Sequence, residues 1–104
     1  MSSSATDCDR LLAGNVTLPS HVVYRAFAGE TVVLNLNSGR YHGLNPTAGR
    51  MLEVLERSAS VADAAERLAA DYDQARDRIE ADICALCRDL LDRGLIEVSD
   101  DGGR

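Results

Sequence analysis

Between His21 and Leu44 the apolar positions recur at a period near two, the spacing of an extended chain with one buried face. Val22, Val23, Tyr24, Arg25, Ala26 and Phe27 form a first strand-like run. Gly29-Glu30 turns the chain into a second run, Thr31-Val32-Val33-Leu34-Asn35-Leu36. Within it Val32, Leu34 and Leu36 share a face, and the pattern assigns that face to the core. Asn37-Ser38-Gly39 is a short-turn signal, and Arg40-Tyr41-His42-Gly43 follows as a third strand. The pattern predicts a three-stranded antiparallel meander.

The period then becomes helical. Asn45-Pro46 reads as an N-cap followed by Pro at the first helical position, and Leu44 just outside it can staple onto the first turn. Ala48, Met51, Leu52 and Leu55 give the apolar stripe of a first helix. Ser60 caps a second, with Asp63 in the place of a capping-box acid and a stripe of Val61, Ala64, Ala65, Leu68 and Tyr72. A third helix runs from about Gln74 to Arg93 and stops at Gly94, before a short extended ending, Leu95 to Val98. The sequence therefore reads as an α+β domain over 16–98, three strands followed by three helices, the last two spaced like a helix-turn-helix. Residues 1–15 are small and polar and read as a loose arm, and 99–104 as a loose tail.

The third helix carries more apolar surface than a small core uses. At about 100° per residue Ile79, Ile83, Leu86 and Leu90 fall in one narrow arc. Cys84, Cys87 and Leu91 widen that arc on one flank only, while Arg78, Asp82, Arg88, Asp89 and Arg93 make the rest polar. Such a flank either packs against a neighbouring helix or walls a groove that awaits a partner. The third strand bears on the choice. Sheet edges are commonly blunted by acidic residues or Pro, and Arg40-Tyr41-His42-Gly43 has neither, so it can accept an added strand beside that groove.

Composition narrows the classes. A chain of 104 residues holds one domain. Aromatics are only 4% of it, so its core is aliphatic. Its charge is −6: five Arg balance five acids up to residue 57, and six Arg face twelve acids beyond it. An acidic domain repels phosphate backbones, which argues against nucleic acid. No signal peptide or run of about 20 apolar residues is present, which argues against a membrane. Three cysteines, Cys8, Cys84 and Cys87, suit a reducing cytosol better than a disulfide scaffold, and the expected compartment is cytoplasmic.

Thr31 to Leu52, TVVLNLNSGRYHGLNPTAGRML, together with the final helix DICALCRDLLDRGLI, resembles the PqqD-like family of RiPP recognition elements. The likeness is greatest to the stand-alone members of lasso-peptide biosynthesis, and covers roughly residues 20–98. It implies a winged-helix-like fold and a non-catalytic domain without cofactor or metal. It implies that the leader of a ribosomally made precursor adds as a strand beside Arg40, Tyr41, His42 and Gly43. The same leader is then expected to pack on Ile83, Cys84, Cys87 and Leu91. The implied partners are that leader, a transglutaminase-like leader protease and, as a further candidate, the cyclase. A PqqD-type peptide chaperone in redox-cofactor biosynthesis is the related alternative.

Other chemistry is weakly signalled. Cys84-Ala-Leu-Cys87 has redox-motif spacing but lies in mid-helix, where no helix N-terminus lowers a thiol pKa. A zinc site needs about four ligands, and one cysteine pair with the distant His21 and His42 does not make one. His42 beside Tyr41 reads as a sheet residue rather than a general base. A winged-helix DNA-binding regulator fits the helix order, yet a recognition helix holding Glu80, Asp82, Asp89 and Asp92 suits base edges badly.

Overall fold

A computed structural model describes residues 3–99. In chain order these form α1 (Ser3–Ala13), β1 (Asn15–Thr17), β2 (Val22–Phe27), β3 (Glu30–Asn35), β4 (Tyr41–Leu44), α2 (Pro46–Arg57), α3 (Val61–Tyr72), α4 (Arg76–Asp92) and β5 (Glu97–Ser99). The antiparallel meander is present in the order β2-β3-β4, with Tyr24 opposite Val33 and Val33 opposite His42. Three helices follow it, and α3 packs on both α2 and α4 around a core of Leu52, Leu55, Leu68, Ile83 and Leu90. Local sequence explains their starts. Asn45 accepts from the Ala48 N–H at 2.8 Å and Ser60 from the Asp63 N–H at 3.0 Å, so both predicted caps form. Gly94, at φ +71°, lets the chain leave α4 in the left-handed region, and its N–H returns to the Leu91 carbonyl.

The core face of the second predicted strand is reversed. Val33 and Thr31 are buried, Val32 and Leu34 lie half-buried on the opposite face, and Leu36 is 55% exposed beyond the strand. Alternation tells which residues share a face but not which face is inside, and Val32-Val33-Leu34 offers an apolar side chain to both. The contact with α2 decides it. Gly49 is seated against Thr31, and a Cβ there would overlap the Thr31 side chain. Gly49→Ala is therefore expected to cost about 1–3 kcal/mol. An unchanged urea midpoint would mean that α2 can back away from β3.

The expected loose arm over 1–15 is corrected from residue 3 onward. Cys8, Leu11 and Leu12 lie at helical spacing, Leu11 is buried and the other two pack against the core. β1 then pairs with β5, Val16 opposite Val98, which gives the extended ending a partner that the sequence did not suggest. Gly14 sits where a Cβ would come within 2.6 Å of Val98, and its carbonyl accepts from the Val61 N–H. Ser99, placed in the expected tail, ends β5, and residues 100–104 lie outside those described.

Candidate functional site

The sheet ends at β4, and two hydrogen bonds fix what its outer edge offers. The Asn35 N–H donates to the Arg40 carbonyl at 2.9 Å, and the Leu36 N–H to the His21 carbonyl at 2.7 Å. Residues along an antiparallel strand alternately turn both backbone groups toward one neighbour and then toward the other. In the register Val33↔His42 and Thr31↔Leu44, the residues Arg40, His42 and Leu44 therefore turn to β3. Tyr41 and Gly43 turn their N–H and C=O outward, and among the described residues no strand pairs there. The Tyr41 ring is 72% exposed, and the space over Gly43 meets only the end of the Glu30 side chain.

The C-terminal end of α4 comes near this edge, where the cap residue Arg93 reaches β4 through its side chain. Arg93 donates from Nε to the Asp89 carboxylate at 3.1 Å, and its Nη1 lies 3.1 Å from His42 Nδ1. A guanidinium only donates, so Nδ1 of His42 is the accepting ring nitrogen in this contact. Leu86 and Asp82 stand seven and eleven residues before Arg93, within about 20° of it around the helix. Leu91 and Cys84 stand two and nine residues before it, about 180–200° away. Around the helix, Asp82, Leu86 and Asp89 thus share the side of Arg93, the residue that reaches β4, and Leu91 and Cys84 do not. This corrects the expected groove wall.

Of the residues expected on that wall, Ile83 and Cys87 are completely buried and Cys84 is 2% exposed, so they belong to the core. Of the four, Leu91 alone reaches solvent, at 37%. The widened apolar flank has another occupant, helix α1. It packs on α3 and α4, and Cys8 forms a disulfide with Cys84, their Cα atoms 5.5 Å apart. The odd cysteine count concealed this pair, because the third thiol, Cys87, is simply buried. Burial pushes that thiol up to about 11, so little thiolate is available to attack the neighbouring disulfide.

Of the eight expected site residues, the structure brings Arg40, Tyr41, His42 and Gly43 to the open edge. Leu86, Asp89 and Arg93 are the residues that the sequence reading placed elsewhere. The helical pattern assigns Leu86 to the core arc, and Asp89 and Arg93 to the polar side. Only the position of β4 relative to α4 selects them. Among the described residues no cluster of three or more His, Cys, Asp or Glu is placed to hold a metal ion. No described helix is long and apolar enough to cross a membrane. The site offers backbone hydrogen bonds, one half-buried Leu and one guanidinium, which is equipment for holding an extended peptide.

Residues 30–96 match the family model of PqqD, coenzyme PQQ synthesis protein D. The fold is similar to that of TbiB1 in complex with the TbiA(beta) leader peptide. The TM-score is 0.71 at 27% identity over 78% of this chain and 94% of that one. It is also similar to a lasso peptide synthetase B1 complexed with its leader peptide, with TM-score 0.72 and 30% identity over 80% of this chain and 98% of that one. No curated protein sequence matches the chain. Helix α1 and its cysteine lie ahead of the family-matched region.

Proposed function

The chain belongs to the PqqD family, and from that premise we propose that it is a RiPP recognition element that captures the leader of a lasso-peptide precursor. The observation that carries this reading is the open β4 edge, with Arg93 from the end of α4 reaching His42 on it. The two solved chains it resembles, each bound to a leader peptide, support it. A leader strand pairs with the outward N–H and C=O of Tyr41 and Gly43. Its inward side chains then meet Leu86 and the Asp89–Arg93–His42 cluster. The domain holds the leader without cleaving it, and so raises the effective concentration of precursor at a separate transglutaminase-like protease. The cyclase is a further partner in the same handover. The work is placed in the cytoplasm, where a ribosomally made precursor is released.

Amide hydrogen exchange, with and without a synthetic leader peptide of a lasso-peptide precursor, tests the reading. The amides of Tyr41 and Gly43 are expected to gain protection, with smaller gains along α4 from Leu86 to Arg93. His42, already paired with Val33, should change little. Protection centred on α3 or on the outer edge of β2 would remove β4 as the docking strand.

A further inference from the structure

We propose that the β4 edge also pairs with the β4 edge of a second copy of this chain, so that leader and second copy compete for the same backbone groups. The competition rests on the function proposed above, whereas the self-pairing rests on geometry alone. Only Tyr41 and Gly43 turn outward, and they are two residues apart with His42 between them. Two β4 strands related by a twofold axis through His42 therefore set Tyr41 of one copy opposite Gly43 of the other, twice. Each such pair exchanges both of its backbone bonds, and no other twofold register uses all the outward groups.

Side chains fit the same register. Tyr41 lies on the outer sheet face, in one row with Leu34 and Val23, and among the described residues is the most exposed large apolar side chain. Opposite it stands a glycine, with nothing but the flexible end of Glu30 above it. An aromatic ring laid over an edge glycine is a recurrent way of stabilising such a pair. Each Tyr41 then covers Gly43 of the second copy, and the two sheets join into one of six strands with a continuous outer face. The strand carries none of the acidic residues, prolines or bulges that keep edges apart. The contact is small, so association is weak, with a dissociation constant of roughly 0.1–1 mM.

Sedimentation equilibrium of the full chain, from about 10 µM to about 1 mM, tests this. The average mass should rise from one chain toward two. Tyr41→Ala should weaken association about tenfold, and Gly43→Pro, which removes an outward N–H, should abolish it. Circular dichroism checks that both variants fold, and if Gly43→Pro does not, Tyr41→Ala decides. Saturating leader peptide should return the parent to one chain. A constant single-chain mass up to 1 mM, association unchanged in Tyr41→Ala, or dimers that persist with leader bound would each overturn the proposal. If the leader does not bind at all, the proposed function fails, while the concentration series still decides the self-pairing.

Discussion

Reducing the Cys8–Cys84 bond is expected to remove about 4 kcal/mol of stability and to release α1 before the rest of the domain unfolds. The bond closes a loop of 76 residues, and loop closure on that scale restricts the unfolded chain by about that amount. Most small domains are stable by about 5–15 kcal/mol, so the loss is a large share. Helix α1 is exposed to it first. Besides the cysteine, the side chains described from residue 8 on bury Leu11 fully and Leu12 in part, worth about 2–4 kcal/mol. Ordering its eleven residues costs about 1–2 kcal/mol each, and a free helix of that length is marginal in water. Urea denaturation with and without dithiothreitol, and of Cys8→Ser, measures the effect, with amide exchange over 3–13 reporting the release. Both treatments should lower the midpoint alike. Midpoints equal to that of the oxidised parent would show that the bond contributes nothing. Leader affinity should change less than about twofold, because the main packing of α1 is on α4 and α3 rather than on the sheet.

What the sequence made legible was whatever depends on near neighbours. The turn at Asn37-Ser38-Gly39, the caps at Asn45 and Ser60 and the stop at Gly94 are short-range signals, and each forms where the residues imply. The strand face failed because Val32-Val33-Leu34 is apolar on both sides, and only the seat of Gly49 against Thr31, eighteen residues earlier, selects one. The groove wall failed for a similar reason. The excess of apolar residues around Cys84 and Cys87 was real, but an excess shows that something covers a surface and not what does. Here the cover is α1, whose Cys8, Leu11 and Leu12 make too short a pattern to stand out among small polar residues. The β1–β5 pair joins residues 15–17 to 97–99, a separation no local pattern reports.

The Gly43→Pro variant is expected to lose about 10–100-fold in leader affinity while keeping its fold. The Gly43 N–H points away from β3, so replacing it costs the sheet no hydrogen bond, and Gly43 is not among the residues held at positive φ. The ring also fills the space in which a leader carbonyl would approach. Together these amount to about 1.4–2.8 kcal/mol, a lost backbone bond plus an obstructed edge. Two controls make the test specific. His42→Pro removes an N–H that pairs with Val33, so it should destabilise the domain itself by about 3 kcal/mol or more. Leu91→Asp charges the partly exposed end of the α1 flank, about 200° around α4 from Arg93, and should leave leader affinity within about twofold. Fluorescence anisotropy of a labelled leader, with circular dichroism of each variant, measures all three. A Gly43→Pro protein that folds and binds like the parent rules out strand addition at β4. Loss of binding in Leu91→Asp with parental affinity in Gly43→Pro moves the leader to the opposite side of α4, where α1 would have to leave before a peptide could enter.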